Sequence, residues 1–195
     1  MEPATLPQEA DQLALDFLNA GLDTGPGPER VATWLHRAGL ATEDDLRRLA
    51  ASPPLTRILV TEAFALRDAV GDAVTAFQQG ALLPEHAIFA LNRVLGARST
   101  SLRVDSQGVA VALAQAEEAR FPEGLLAPVA SAAAEILAHG DRSRLRQCAA
   151  GGCGRWFYDV SRNGRRRWCS MARCGNRAKV AAHYRRHRPE PADPH

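Results

Sequence analysis

The four cysteines of this 195-residue chain all lie near its C-terminal end, at Cys148, Cys153, Cys169 and Cys174. Their spacing, C-x4-C-x15-C-x4-C, is typical of a tetrahedral zinc site in which all four thiolates bind the metal. A shell of four protein ligands leaves no open position for a substrate, so the predicted Zn²⁺, one per chain, is structural. Two disulfides are disfavoured in a reducing compartment, and the C-x-x-C spacing of thioredoxin-like redox pairs is absent.

The residues around the cysteines indicate the elements that would hold the metal. Cys153 and Cys174 are each followed by glycine, which turns the backbone at low cost after a ligand. Asn163-Gly164 separates the aromatic segments 156–159 and 166–168, and this pattern predicts a β-hairpin. The residues after Cys174 are typical of a helix. The sequence therefore predicts a treble-clef-like or ribbon-like zinc finger, a β-hairpin plus a helix.

Two histidines, His183 and His187, stand four residues apart on the predicted final helix and could also bind metal. Because four cysteines already complete the zinc shell, we expect these histidines to contact solvent or phosphate, with a mixed Cys/His site as the alternative.

The net charge of +2 conceals a division along the chain. Residues 1–141 carry 10 Arg and 19 Asp or Glu, whereas residues 142–195 carry 13 Arg and one Lys against three acids. Such asymmetry predicts an acidic body and an appendage that binds a polyanion. The alternative is that the two halves attract each other.

The basic residues of the finger are the candidate contacts with nucleic acid. They are Arg162, Arg165, Arg166 and Arg167 at the predicted hairpin turn, and Lys179, His183, Arg185, Arg186 and Arg188 on the final helix. Phosphate contacts supply affinity without sequence information. Recognition of the base sequence would need side chains on one face of the final helix, and the candidates are Lys179, His183 and Arg186.

A second set of residues is predicted to support the finger: Asp159, Gly175, Asn176 and Arg177. Asn176 is expected to cap the final helix through its side-chain oxygen. Asp159 is the one acid between Arg142 and Arg188, and Arg177 is its expected partner.

The first 141 residues show mostly helical periodicity. The longest predicted helix begins at Pro53-Pro54 and ends at Gly80, and Thr42 with Asp45 predicts a capping box. Residues 102–113 alternate with a period of two, which predicts one small β-hairpin. The chain is therefore predicted to be mainly α, with a helical domain at 1–141, a finger at 142–188 and a disordered tail at 189–195.

The composition, 46% hydrophobic and 24% charged, is that of a globular protein. No apolar run approaches the length of a membrane span, and the first residues lack the pattern of a signal peptide, so we expect a cytoplasmic protein without membrane contact. The sequence contains no P-loop, no G-x-S-x-G motif and no acid–base constellation. We therefore expect that it is not an enzyme.

The run from Cys148 to Lys179, which includes Cys174-Gly175-Asn176-Arg177, resembles the CGNR-type zinc finger of bacterial proteins. Residues 13–19 and 31–40 resemble the opening of the ABATE domain, which precedes the finger in that family of candidate stress-induced transcription regulators. The resemblance implies a regulator that binds duplex DNA, with an N-terminal domain for dimerisation or for sensing a small-molecule or protein signal. An RNA-binding module and a protein-interaction adaptor are the alternatives.

Overall fold

The computed structural model of the chain describes residues 8–20, 28–97, 100–104, 110–115 and 120–187. The chain divides into two compact units, residues 1–143 and 144–195. The segment 189–195, predicted to be a disordered tail, lies outside the described residues.

The first unit is built from helices and one pair of strands. Its helices are α1 (Gln8–Asn19), α2 (Pro28–Arg37), α3 (Glu43–Ala51), α4 (Pro53–Gln79), α5 (Glu85–Leu95) and α6 (Ala127–His139), its strands are β1 (Thr100–Val104) and β2 (Ala110–Gln115), and a 3-10 turn (Glu123–Leu126) leads into α6. This architecture confirms the predicted mainly α fold with one small hairpin.

Helix α4 forms the centre of the first unit and packs against α1, α2, α3, α5 and α6. Its fully buried side chains recur at helical spacing, at Leu59, Leu66, Val70 and Val74. Burying a side chain of this size stabilises a fold by about 1.5–3 kcal/mol. The core of the unit therefore follows from the apolar stripe of one long helix.

Local signals set the start of α3 and the end of α4 as predicted. The Asp45 N–H donates to Thr42 Oγ1 at 3.1 Å, and the Thr42 N–H donates to Asp45 Oδ2 at 2.9 Å, which completes the capping box. Gly80 ends α4 at a φ of +69°, in the left-handed region that glycine adopts without strain.

Strands β1 and β2 pair antiparallel, with Leu102 opposite Leu113 and a register shift between Arg103 and Val104. The pairing confirms the predicted hairpin, although the turn residues 105–108 lie outside the described residues. Across the part of the chain that the structure describes, no helix is both long and apolar enough to cross a membrane.

The second unit contains β3 (Leu145–Gln147), β4 (Trp156–Tyr158), a π-helical turn (Met171–Gly175) and α7 (Asn176–His187). Strand β3 pairs antiparallel with β4, with Arg146 opposite Phe157. The hairpin of the finger therefore closes around the first cysteine pair. The predicted hairpin turn at Asn163-Gly164 is wrong, because the partner of β4 precedes it in the chain and residues 165–168 are not in a strand.

Candidate metal centre and nucleic-acid interface

Two elements present the four cysteines. Cys148 and Cys153 lie in the segment that joins β3 to β4, in which Gly152 and Gly154 take φ values of +72° and +62°. Cys169 immediately precedes the π-helical turn and Cys174 lies within it. Two ligands thus come from a hairpin and two from the start of a helix, which is the treble-clef-like form of the prediction.

The sulfur geometry fits one tetrahedral zinc ion. The Sγ atoms of Cys153, Cys169 and Cys174 are 3.6–3.7 Å apart, and all four cysteine Sγ atoms lie within 4.8 Å of one another. A Zn–S bond of about 2.3 Å implies tetrahedron edges of about 3.8 Å. None of the four cysteines forms a disulfide. The site therefore suits one structural Zn²⁺ held by Cys148, Cys153, Cys169 and Cys174.

The protonation of the thiols agrees with a site built for a cation. Burial raises the pKa of the Cys148 thiol. Hydrogen bonds from the Cys169 and Ala150 backbones and from neighbouring thiols lower this pKa by more, so the net pKa falls to about 7. Burial and the adjacent thiols raise the pKa of Cys169 to about 12, and burial also raises the pKa of Cys174. A divalent cation supplies the charge that lets all four sulfurs ionise together.

The surroundings of the sulfurs are apolar, with added N–H donors. Cys148 and Cys174 are buried with Phe157, and Trp168 packs against the same cluster. The Cys169 N–H donates to Cys148 Sγ at 3.4 Å. Donors and packing of this kind fix the orientation of metal ligands.

Asp159 is fully buried and organises the loop that follows β4. Its carboxylate accepts hydrogen bonds from the Ser161 N–H at 3.0 Å, the Ser161 hydroxyl at 2.5 Å and the Arg166 N–H at 2.7 Å. Arg146 Nε lies 3.9 Å from the same carboxylate. Burial raises the pKa of Asp159, but these donors and the Arg146 charge lower it by more, so the net pKa is below its usual value.

The predicted pairing of Asp159 with Arg177 is wrong. Asp159 uses Ser161, Arg166 and Arg146 instead. Arg177 Nη2 lies 3.9 Å from Cys174 Sγ, so its guanidinium points at a metal ligand. The two residues are 18 positions apart, and the sequence offers no local signal for which arginine approaches the acid.

The predicted capping role of Asn176 is also wrong. Asn176 has helical dihedrals, φ −65° and ψ −44°, because the π-helical turn already precedes it. The cap residue is Ser170, whose hydroxyl accepts from the Arg173 N–H at 3.3 Å. Gly175 is buried in the turn and does not have a positive φ, so its backbone does not adopt the left-handed conformation that Gly154 adopts. Serine is a favoured cap residue, and this preference could have identified Ser170.

Arg166 is half-buried, and its guanidinium is engaged within the finger, so it does not fit its predicted role as a phosphate contact. Its Nε donates to the Trp168 carbonyl at 2.8 Å and its Nη2 donates to the Cys169 carbonyl. Its guanidinium also lies 4.9 Å from the centre of the Phe157 ring. Because these contacts connect the loop to a metal ligand, replacement of Arg166 is expected to destabilise the finger.

The remaining candidate contacts are on the surface where they are described. Arg162, Arg165, Arg167, Lys179 and His183 are exposed. His183 is not part of the sulfur cluster. Arg185 and Arg186 are in α7, but their side chains, like that of His187 and all of Arg188, lie outside the described residues.

A cleft that the sequence analysis missed lies in the first unit, between α2, α3 and the start of α4. Its volume is about 660 Å³. Apolar side chains form most of its walls: Ala32, Leu46, Leu49, Ala50, Pro53 and Val60. Glu29 and Arg57 supply opposite charges at its lining. No linear motif marks a cleft of this kind, because three separate helices form it.

Comparison with known families identifies both units. A model of the CGNR zinc finger matches residues 144–187. A model of the ABATE domain, described as "Putative stress-induced transcription regulator", matches residues 11–140. No curated protein matches the chain. Since the ABATE match covers more than half of the 195 residues, the chain belongs to the ABATE family and carries a CGNR zinc finger as its second unit.

Proposed function

We propose that this protein is a transcription regulator whose zinc finger binds duplex DNA. The family assignment supports regulation, and the charge of the finger supports the nucleic acid. In this proposal the zinc ion stabilises the finger and takes no part in catalysis, because four thiolates would fill its coordination shell.

The observation that carries the proposal is the unbalanced positive surface of the finger. Residues 144–187 contain 11 Arg and one Lys against the single acid Asp159. Asp159 is buried, and its carboxylate is taken up by Ser161, the Arg166 N–H and Arg146, so it does not offset the charge of the exposed arginines at 162 and 165. The exposed cations, among them Arg162 and Arg165, are left for an external polyanion.

The test is a salt titration of DNA binding by the full-length, zinc-loaded protein. Fluorescence anisotropy with a labelled duplex compares the wild type with the double variant Arg162→Ala/Arg165→Ala. The slope of log K against log salt is negative, and each lost phosphate contact makes it less steep by about 0.9. The slope of the double variant should therefore be less steep than that of the wild type by up to about 1.8. The matched control is Arg37→Ala/Arg47→Ala, which removes two exposed arginines from the helical unit.

Duplex DNA should compete for the protein better than a structured RNA of equal length. The reverse order would favour the RNA-binding alternative, and no binding to either would favour a protein-interaction adaptor. An equal loss of slope in the control variant would contradict the assignment of DNA binding to the finger.

A second proposed function is ligand sensing by the helical unit, and the cleft between α2, α3 and α4 supports it. Its volume of about 660 Å³ is within the range of small-molecule sites, and its mostly apolar walls suit an amphipathic ligand. Compounds that bind there should raise the melting temperature, because binding to the folded state alone stabilises it.

A screen of amphipathic small molecules by thermal shift tests this second function. Ala50→Trp should abolish the shift, since Ala50 lines the cleft and the indole would fill it. Ala65→Trp, at an exposed position of α4 outside the cleft, is the control. Equal shifts in the wild type and in Ala50→Trp would place the ligand elsewhere.

A further inference from the structure

Helix α7 presents two exposed apolar side chains, Val180 and Tyr184, on the side opposite its half-buried alanines. Ala178 and Ala182 are half-buried, and Val180 lies two positions from each. Since a helix turns by about 100° per residue, Val180 points in the opposite direction. Its side chain is 54% exposed, and Tyr184, one turn further along the same side, is 72% exposed.

This placement is unusual for so small a unit. The finger needs apolar side chains beside its metal, and Phe157 serves there with 7% exposure. Tyr184 and Val180 make no such contribution. Together they form an apolar strip along α7, which we call the outer strip.

The charged side chains that the structure describes on α7 and in the turn before it are all basic. Arg173, Arg177 and Lys179 are exposed on or next to α7, and residues 160–187 contain no acid. A partner that covers the strip must therefore combine negative charge with apolar contact surface. The major groove of duplex DNA does so, since phosphates line its edges and the 5-methyl groups of thymine project into it.

We infer that α7 enters the major groove and that Val180 and Tyr184 contact base edges there, with thymine methyl groups as the preferred contact. A helix of 12 residues is about 18 Å long, and a groove about 12 Å wide admits it. The exposed arginines then hold the phosphates on either side. This assignment differs from the face of Lys179, His183 and Arg186, and it depends on the proposed DNA binding.

The experiment begins with selection of duplexes from a library with a randomised centre by the full-length, zinc-loaded wild type. The double variant Val180→Ala/Tyr184→Ala is then compared on the selected duplex and on a duplex of unrelated sequence. Alanine keeps α7 helical, and both side chains are exposed, so folding and zinc content should be unchanged. The matched control is Ile58→Ala/Phe89→Ala, which removes an exposed β-branched and an exposed aromatic side chain from the helical unit.

The double variant should bind the selected duplex at least about tenfold more weakly, the size of one lost base contact. Its affinity for the unrelated duplex, and the slope of its salt dependence, should match the wild type. Replacing thymine by uracil in the selected duplex should weaken the wild type and leave the double variant unaffected. The control variant should behave as the wild type does.

Other results overturn the inference, and they separate it from the proposed function. If the wild type binds no DNA, both fall. If the wild type binds DNA without sequence preference, only the inference about the outer strip is contradicted. The same holds if the double variant prefers the selected duplex as strongly as the wild type does. If the double variant converts a dimer to a monomer in light scattering, the strip is a self-association surface. If the wild type prefers RNA, the major groove of DNA is not its partner.

Discussion

At the scale of single residues, Asp159 holds together the loop between β4 and the second cysteine pair. Its buried carboxylate accepts from Ser161 and from the Arg166 backbone. In a buried site, charged hydrogen bonds contribute more than neutral ones, and removal of the acceptor leaves its donors unsatisfied. The stability of the metal site therefore depends on a residue that does not touch the metal.

The first prediction is that Asp159→Ala lowers the stability of the finger by about 3 kcal/mol, because at least two donors lose a buried acceptor. The measurement is zinc release on heating, followed with a metal-sensitive dye. Asp68→Ala, at an exposed carboxylate of α4, is the control and should leave zinc release unchanged. Equal release temperatures for the wild type and Asp159→Ala would show that Asp159 does not support the loop.

The second prediction separates two arginines of the same loop. Arg166→Ala should destabilise the finger by about 1–2 kcal/mol, because two hydrogen bonds to carbonyls and a contact with the Phe157 ring are lost. Arg162→Ala should leave the melting curve unchanged and weaken DNA binding, since Arg162 is exposed. Both variants are measured by thermal unfolding and by anisotropy. A stable Arg166→Ala protein with weak DNA binding would return Arg166 to the set of phosphate contacts.

At the scale of elements, the second cysteine pair depends on how the π-helical turn begins. The Ser170 carbonyl accepts from the Cys174 and Gly175 N–H groups at 2.9 and 3.1 Å, and the Ser170 hydroxyl caps Arg173. One residue thus connects Cys169 to the turn that carries Cys174. The second pair of ligands is therefore positioned by the π-helical turn and not by α7.

The third prediction follows from that cap. Ser170→Ala should cost about 1 kcal/mol of finger stability, whereas Asn176→Ala should change it by less than about 0.5 kcal/mol. Chelator competition at fixed protein concentration measures both through the apparent zinc affinity. A larger effect at Asn176 than at Ser170 would contradict the capping assignment.

At the scale of the whole molecule, the two units have different sources of stability. The helical unit buries an apolar core around α4, while the finger has a small cluster around its cysteines. A module with so few buried side chains needs the metal to fold. Loss of zinc should therefore affect the two units unequally.

The fourth prediction is that a strong chelator unfolds the finger and leaves the helical unit folded. Far-ultraviolet circular dichroism should retain most of its helical signal, because six of the seven α-helices among the described residues belong to the first unit. The fluorescence of Trp156 and Trp168 should change as they become exposed, and a Trp34→Phe variant isolates that signal. Cys174→Ser should reproduce the change without chelator. A protein that keeps its finger fluorescence after metal removal would contradict the coupling of zinc to folding.

Several features of this protein were determined by its sequence alone. The spacing of the cysteines identified the four ligands and the structural zinc. Thr42 with Asp45, Pro53-Pro54 and Gly80 identified helix ends, and the alternation at 102–113 identified the hairpin. These features are local, since a helix cap, a helical period and a strand period depend on residues only a few positions apart.

Other features were decided only by the tertiary structure. The strand partner of β4 is β3 and not residues 166–168, Asp159 takes Arg166 and Arg146 and not Arg177, and Arg166 faces inward while Arg162 does not. The cleft of the helical unit and the outer strip of α7 also depend on which surfaces the other elements cover. In each case several chemically similar residues could take the same position or partner, and the composition of the chain does not specify which of them does. Tertiary packing determines the partner, because a buried polar group must form hydrogen bonds with the groups that the rest of the fold places beside it.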